Sequence, residues 1–344
     1  FHGQLYWNDR LSFFGQLESS EVSGRRAGPR ANDRNALDVN QLFVQWTPYR
    51  TADDQIALRF GRQEVELGAS QFTSAREGLN DRLSFDGVRL TGEVEGWRLH
   101  AMAARVVPTR RGAFDDNSSP DETLSGFFVA RSHDLLPGGN GVVFANRRTR
   151  PVSFYADGTA REERISIATR WWSSGTDTWD YNWETGVQRG SLGAGSIRAW
   201  FVSLDNGYTL PDHELRPRLG LRFNIGSGDS RRGDDVVGTF SPLFAATAYS
   251  GLSGLVGPSN SMALAPSLRL QPNERHAVTA GVIGFWRQST NDGTYNIFSE
   301  VQRMPGSSEA RHVGTQSTLM YVYTPTSHVT MVFVAAYFQA GRFL

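Results

Sequence analysis

Apolar and polar residues alternate along much of this chain, with a period of two and over segments of about ten residues. Between Trp179 and Gln188 the odd positions are mostly aromatic or apolar, whereas most even positions are polar. Because successive side chains of a β-strand point to opposite faces, each such segment predicts a strand with one apolar and one polar face. Segments of this length, separated by turn residues, are typical of transmembrane β-strands.

Arginines collect on the polar faces of several predicted strands. Between Glu214 and Gly226 the odd face is apolar, and the even face carries Arg216, Arg218 and Arg222. Two further segments repeat this arrangement and place Arg164, Arg170 and Arg269 opposite apolar side chains. These faces predict an arginine-rich inner surface.

The alternation alone also fits a soluble β-sandwich, in which the apolar face points inward. Aromatic placement separates the two folds, because Trp and Tyr mark both interfaces of a membrane barrel. Here they recur near the ends of the apolar faces, at Trp97, Trp171, Trp179, Tyr321, Tyr323 and Tyr337. The sequence therefore favours an all-β fold, a transmembrane antiparallel β-barrel.

Turn residues and longer polar stretches separate the predicted strands. The short turns fall at 7–9, 48–54, 96, 173–176, 272–273 and 324–325, and the long stretches at 24–36, 68–83, 108–122 and 226–237. Short turns on one rim and long extracellular loops on the other suit an outer-membrane barrel. The count is about 16 strands in one domain that covers the whole chain, residues 1–344.

Two segments depart from the pattern. The apolar face is even up to Phe60 and odd from Val65. This change of phase predicts a β-bulge near Gly61 and makes residues 61–66 a candidate functional segment. The stretch 239–261 is rich in Gly, Ser, Ala and Pro and has no steady period, so we expect it to fold into the lumen or to cap the outer rim.

Composition narrows the class further. The chain has 344 residues with 36 Gly, 9 Trp, 10 Tyr and 21 Phe, and its mean hydropathy is negative. The longest apolar run, Val329–Phe338, has about half the ~20 residues of a membrane helix, which excludes a helical membrane protein. The absence of Cys excludes disulfides and thiolate metal sites. All 35 basic residues are arginine, which reflects either genome base composition or specific placement of guanidinium groups.

Motifs that tie a reaction to a residue spacing are absent, since the chain has no HExxH, GxSxG or P-loop sequence. His133–Asp134 and Asp212–His213 are adjacent pairs, and adjacent strand residues point to opposite faces, so they make poor catalytic dyads. We expect no enzymatic activity, no cofactor and no metal site. The acidic doublets at 53–54, 115–116 and 234–235 offer oxygen ligands for Ca²⁺, although solvated loop charge is the simpler interpretation.

Seven short segments resemble, in the same order, the signature segments of the alginate export family of outer-membrane porins. They are FGRQE at 60–64, REGLNDR at 76–82, SFDGVR at 84–89, TFSPLF at 239–244, GPSN at 257–260, FWRQS at 285–289 and DGTY at 292–295. Because the ordered matches cover most of the chain, this resemblance is more specific than any single motif.

The resemblance implies a monomeric barrel, generally of about 18 strands, with an arginine-rich constriction suited to a uronate polymer. It also implies one more strand after residues 341–344. Because the chain opens at Phe1 without Met, we expect any leader to have been removed. The expected partners are outer-membrane lipid and lipopolysaccharide, an anionic polysaccharide or oligouronate, and periplasmic export components. Nucleic acid is not expected.

An alginate-like polymer carries one carboxylate per sugar, and a guanidinium binds a carboxylate through two parallel hydrogen bonds. The candidate attractive residues are Arg62, Arg82, Arg89, Arg170, Arg216, Arg218, Arg222 and Arg287. The candidate carboxylates that temper them are Glu64, Asp86, Asp180 and Glu184. Any one of these residues could instead brace the wall in a salt bridge. An inward excess of arginine, taken as a group, favours anion selectivity.

The favoured hypothesis is a passive outer-membrane pore for an anionic polysaccharide. An uptake porin for oligouronates, sugar acids or other small anions is the alternative, because a passive channel has no intrinsic direction. A barrel enzyme or adhesin would require a convergent polar cluster at the rim and a blocked lumen.

Overall fold

A computed structural model describes residues 1–24, 33–65, 82–242, 251 and 254–344. Every regular element in these ranges is a β-strand. No helix in the described part of the chain is long and apolar enough to cross a membrane. The sequence segments 76–81 and 243–244 that carry part of the resemblance lie outside the described residues, as do parts of the stretches 24–36, 68–83 and 239–261.

Nineteen strands are present in the described residues. They are β1 (His2–Asn8), β2 (Leu11–Glu21), β3 (Arg34–Arg50), β4 (Gln55–Glu64), β5 (Ser84–Val94), β6 (Trp97–Val107), β7 (Thr123–Ser132), β8 (Gly139–Tyr155), β9 (Gly158–Ser173), β10 (Trp179–Leu192), β11 (Gly195–Thr209), β12 (Arg218–Gly226), β13 (Val236–Val237), β14 (Ser261–Asn273), β15 (His276–Arg287), β16 (Thr294–Tyr295), β17 (Val301–Arg303), β18 (His312–Thr326) and β19 (Val329–Ala340).

Sixteen of the described strands form one antiparallel ladder that runs from β1 to β19. Each strand of the ladder pairs with the next one along the chain. The short β13 lies parallel to β11 beside the ladder, and β16 and β17 form a separate hairpin. The ladder agrees with the number of strands that the alternation predicts.

The connections of the ladder differ in length between its two ends. One end, the short-turn end, carries 9–10, 51–54, 95–96, 133–138, 174–178, 210–217, 274–275 and 327–328. The other, the long-loop end, carries 22–33, 65–83, 108–122, 227–260 and 288–311, together with the tight hairpins 156–157 and 193–194. The long-loop end is the extracellular one in barrels of this kind.

Alternation separates an outer face from an inner face. In β10, Val187 is exposed, whereas its neighbour Gln188 is fully buried. The register extends both faces into β11, since Val187 lies opposite Trp200 and Gln188 lies opposite Ala199. We define the outer face as the one that exposes apolar side chains and the inner face as the opposite one.

Aromatic rings mark the outer face of β10 at the short-turn end. The ring of Tyr181 lies 4.9 Å from that of Trp179 and 4.8 Å from that of Trp183, measured between centroids. Trp97, next to the short turn 95–96, is also exposed, whereas Tyr337 is exposed toward the long-loop end of β19. Such rings are amphipathic and favour the boundary between hydrocarbon and water.

The prediction of a β-bulge near Gly61 is wrong. Both ladders of β4 are regular there, with Gly61 opposite Phe43 on one side and Gly87 on the other. The apolar pattern changes phase because Val65, on the inner face, packs into a buried cluster inside the barrel. Gly61 itself has φ 122° and touches the β3 backbone so closely that a Cβ would overlap the carbonyl oxygen of Leu42.

The buried apolar cluster occupies the inner side of the long-loop half. Phe85 and Leu124 contribute from the wall, and Phe240 and Tyr295 contribute from the long connections. These connections therefore fold back against the inner face. Removal of one such aromatic ring, as in Phe85→Ala, would cost about 3–5 kcal/mol of stability.

Candidate pore-lining site

Two guanidinium groups flank one indole on the inner face of the short-turn half. Arg170 of β9 lies 4.5 Å and Arg98 of β6 lies 5.6 Å from the ring of Trp172, measured from Cζ to the centroid. Arg170 also donates to the side-chain oxygen of Asn182 at 2.7 Å, and Arg98 donates to that of Asn140 at 3.2 Å. An aromatic ring with cations on it combines a stacking surface for sugars with positive charge.

Arg218 of β12 binds Asp180 of β10 across the intervening strand β11. Its Nε and one terminal nitrogen donate to the two carboxylate oxygens, at 2.7 and 2.5 Å. The guanidinium lies directly over Gly207 of β11, where a Cβ would overlap it. Because residue 207 is a glycine, the side chain of Arg218 has room to cross β11 and reach Asp180.

The inner face continues with more charge on β11, β12 and β14. Arg222 lies opposite Asp205 in the register, and Arg218 lies opposite Arg269 of β14. Arg269 donates to the side chain of Gln271 at 3.0 Å. The inward cations of the short-turn half thus outnumber the carboxylates beside them, which include Asp180 and Asp205.

Glu184 is the predicted carboxylate that the structure buries most deeply. It lies opposite Arg170 in the register of β9 and β10 and is only 2% exposed. Its Oε2 has no hydrogen-bond partner in the described part of the chain. Burial limits how far this carboxylate can offset the charge of the solvent-facing arginines.

A second inward pair of cations lies on β4 and β5. Arg59 and Arg89 are directly opposite each other, and neither forms a salt bridge within the described residues. Arg59 stacks on Phe43 at 3.9 Å and donates to Gln45 at 2.8 Å. Arg89 contacts Nδ1 of His100 at 3.3 Å. This pair places two further cations on the inner face, on β4 and β5.

Arg62 and Asp86 lie on the outer face, away from the inward arginines. The register aligns both with Leu42, whose side chain is exposed, and on β4 Arg62 shares its side with Phe60. The two charges pair at 2.9 and 3.0 Å, and Arg62 also donates to the carbonyl of Asp116 in the loop 108–122. These contacts brace that loop against the wall.

Three other predicted arginines have separate positions. Arg82 pairs with Glu64 at 2.8 Å near the long-loop end. Arg216 has φ 40° and is exposed in the turn 210–217. Arg287 is fully buried, stacks on Phe343 at 3.7 Å, and donates to carbonyl oxygens of the connection 288–311. Arg287 therefore holds the connection 288–311 against the end of β15.

The prediction from sequence omitted Arg59, Arg98 and Arg269 from the candidate set. Each alternates with apolar neighbours on its strand, as with Leu58 and Phe60 around Arg59. The period-two pattern already placed Arg269 on a polar face, and it could have found Arg59 and Arg98 in the same way. The same pattern places Trp172 on the arginine face, because Trp172 lies two residues beyond Arg170 and Trp171 lies on the opposite face.

The segment at 239–241 is fastened to the inner face of β9 and β10. Arg164, fully buried, donates to the carbonyl of Thr239 at 3.1 Å and to the side chain of Gln188 at 2.7 Å. Gln188 exchanges two hydrogen bonds with the backbone of Ser241, at 2.8 and 3.0 Å. Glu162 compensates the charge of Arg164 at 2.5 Å.

Asp292 joins this segment to the connection 288–311. Its carboxylate accepts from the hydroxyls of Thr239 and Tyr295, both at 2.6 Å, and from the backbone of Asp229 at 2.9 Å. Burial raises the pKa of Asp292 above its ordinary value. The hydroxyl of Tyr295 in turn accepts from the backbone of Ala156 at 3.0 Å, which ties both connections to the β8–β9 hairpin.

Two acidic triplets at the long-loop end have spacings that suit a divalent ion. They are Asp38, Asp115 and Asp116, and Asp157, Asp229 and Asp234, with oxygens within 4.8 Å of one another in each triplet. In the second triplet, burial and then the neighbouring carboxylate of Asp157 raise the pKa of Asp229 to about 6. The doublets at 115–116 and 234–235 therefore each contribute to a denser acidic group.

The strand ladder, the two faces and the loop asymmetry define an outer-membrane porin barrel, and solved structures agree with this. From Pseudomonas aeruginosa, OccD3 (OpdP) is 12% identical with a TM-score of 0.60, covering 97% of this chain and 78% of that one. OccK2 (OpdF), solved in complex with glucuronate, is 13% identical with a TM-score of 0.54, covering 96% and 80%. OpdK, solved with vanillate, is 11% identical with a TM-score of 0.60, covering 96% and 83%.

The sequence profile of the alginate export family matches residues 1–344, which is the whole chain. The chain therefore belongs to the alginate export family, and it is a porin of the cell outer membrane. No curated protein shows significant sequence similarity to it.

Proposed function

We propose that this porin passively conducts an anionic, uronate-containing polysaccharide along its inward arginines. The observation that carries the proposal is the position of Arg98 and Arg170, which flank the ring of Trp172 on the inner face. Arg218, Arg222 and Arg269 continue this face on adjacent strands. The carboxylates of a uronate chain would move from one guanidinium fork to the next.

The balance of charge suits transport rather than tight capture. Conduction needs sites that attract the polymer yet release it, so cations should be partly offset. Asp180 already accepts hydrogen bonds from two guanidinium nitrogens of Arg218, Nε and one terminal nitrogen. Arg59 and Arg89 lack salt-bridge partners within the described residues, and they supply the uncompensated attraction on the other wall.

An uptake porin for short uronates or sugar acids is the second candidate. The observation that favours it is the segment 239–241, which Gln188 and Arg164 hold against the inner wall of the long-loop half. The complex of OccK2 with glucuronate supports a ligand of this class. In either case we propose a monomeric channel without catalysis, which receives or delivers its solute through periplasmic partners.

Liposome swelling tests the proposal. Proteoliposomes are placed in iso-osmotic solutions of an oligouronate or of a neutral oligosaccharide of equal length. Faster swelling in the short uronates than in the matched neutral sugars supports anion conduction. Equal rates at every length would contradict it, and rates that vanish beyond a disaccharide would favour uptake of small acids over a polymer.

A further inference from the structure

Three arginines line one row of the outer face, just above the apolar surface of β8–β11. The register places Arg147, Ile165, Arg189 and Arg198 side by side on these four strands. The next row toward the short-turn end is Ala145, Ile167, Val187 and Trp200, of which the last three are exposed. The outer face therefore changes from apolar to cationic between these two neighbouring rows, which are two residues apart along each strand.

The height of this row matches the outer boundary of a membrane. Ten residues along β10 separate Arg189 from Trp179, which belongs to the aromatic group at the short-turn end. At about 3.3 Å per residue and a strand tilt of about 40–45°, these span about 24 Å across the bilayer. The apolar band of outer-membrane barrels is about 25 Å tall. Since the long loops are extracellular, the arginine row lies at the headgroups of the outer leaflet.

The side chains of the row are available to a ligand. Arg147, Arg189 and Arg198 are all exposed. Arg147 pairs with Glu163 at 2.8 Å, and Arg189 donates to a backbone carbonyl at 3.0 Å, which leaves its other donors toward solvent. Glu163 lies in the next row toward the long-loop end. It is the one carboxylate on these two rows, which carry three guanidinium groups.

The row ends in a groove. Arg198 and Trp200 line a cavity of about 520 Å³ together with Asn291 and Arg311. Asp229 is the acidic residue among its lining, and that side chain is 3% exposed. The groove therefore offers a second cation, polar side chains and an indole surface next to the membrane boundary.

We propose that the surface formed by Arg147, Arg189, Arg198 and Arg311 binds the phosphate groups of lipopolysaccharide. The glycolipids of the outer leaflet carry phosphates at the height where the row lies, and the arginine fork matches phosphate geometry. The acyl chains would cover the apolar row beneath. This site lies outside the barrel, so it does not depend on what the pore conducts.

The test measures binding of lipid A to the whole purified barrel in detergent, by native mass spectrometry. The double variant Arg189→Gln/Arg198→Gln should bind lipid A about tenfold more weakly, because two charge-assisted contacts are lost. The matched control is Arg10→Gln/Arg275→Gln, which removes two exposed arginines from turns at the opposite end. The control should bind like the unmodified protein, and dephosphorylated lipid A should bind like the double variant.

Equal binding of lipid A by the double variant and the unmodified protein would overturn the site. Equal binding of dephosphorylated lipid A would overturn the role of phosphate. Displacement of lipid A by a soluble oligouronate would assign the row to a secreted glycan instead. The conductance of the double variant should stay unchanged, which separates this result from any failure of the pore proposal.

Discussion

The guanidinium of Arg218 on β12 reaches across β11 to bind the carboxylate of Asp180 on β10, with nitrogen–oxygen distances of 2.7 and 2.5 Å. The pair connects two strands that are not hydrogen-bonded to each other. It fixes one cation of the inner face and neutralises part of its charge. Both consequences can be measured.

Release of this arginine should strengthen binding of uronate. Asp180→Asn removes the negative charge but keeps the shape, so Arg218 gains a free edge toward the lumen. We expect the half-blocking concentration of an oligouronate to fall by about three- to tenfold in single-channel recordings. Asp212→Asn, an exposed carboxylate in the turn 210–217, is the control and should change nothing. An unchanged or weaker block in Asp180→Asn would argue against a role for Arg218 in the pore.

A side chain on the glycine beneath the pair should displace the guanidinium of Arg218. In Gly207→Ala the new methyl overlaps the guanidinium of Arg218, so either the salt bridge or the strand must shift. Because the methyl meets only the far end of a flexible, partly exposed side chain, Arg218 should move aside, and the lost salt bridge should cost about 0.2–1 kcal/mol in unfolding free energy. Gly15→Ala in β2 is the matched control, because its methyl would meet only Leu42 at an ordinary 3.8 Å. Thermal or denaturant unfolding compares the two, and equal stability of the two variants would show that Arg218 is not held there.

The attachment of the segment 239–241 should limit conductance. Gln188→Ala removes two buried hydrogen bonds to Ser241 and leaves Arg164 with one partner fewer. We expect larger or noisier single-channel currents as the segment detaches from the wall. Gln302→Ala, which changes an exposed glutamine of β17, is the control. If the currents of Gln188→Ala match those of the unmodified protein, the segment does not narrow the pore.

Acid should stabilise the packing of the loop 227–238. Burial, followed by the carboxylate of Asp157, raises the pKa of Asp229 to about 6, against about 3.9 in an unfolded chain. The folded state therefore binds more protons between these values, and stability falls as the pH rises through about 6. The raised pKa of Asp292, caused by burial, acts in the same direction.

Asp229→Asn tests this linkage. The amide is neutral at every pH, so the gain in melting temperature between pH 7.5 and pH 5 should be smaller in the variant. The variant should also be at least as stable as the unmodified protein at pH 7.5. Identical pH profiles of the two proteins would mean that Asp229 does not titrate in this range.

Local alternation was enough to predict the wall of the barrel. The strand β12 and its inward Arg218 and Arg222 follow from one period-two pattern, because a strand has only two faces. The pattern would also have revealed Arg59 and Arg98. Alternation predicts the face of the strand on which each side chain lies, and therefore which residues form the inner surface.

Contacts made by the long connections could not be read from alternation. Val65 looks like a change of register, but it is apolar because Phe85 and distant aromatic residues surround it inside the barrel. Arg287 has the sequence signature of a lining residue, yet carbonyl groups of the connection 288–311 satisfy its guanidinium. Both depend on where a connection of some twenty residues folds, and no local period specifies that path.

Conduction of an anionic polymer is tested most directly by single-channel conductance in a planar bilayer, with an oligouronate and a neutral oligosaccharide of equal length. An arginine-lined path predicts an anion-selective current that the uronate blocks and the neutral sugar does not. It also predicts that Arg170→Ala or Trp172→Ala weakens the block by about tenfold, since each variant lacks one of the two groups of the cation–ring contact. A cation-selective current, or equal block by both sugars, would contradict an arginine-lined path for an anionic polymer.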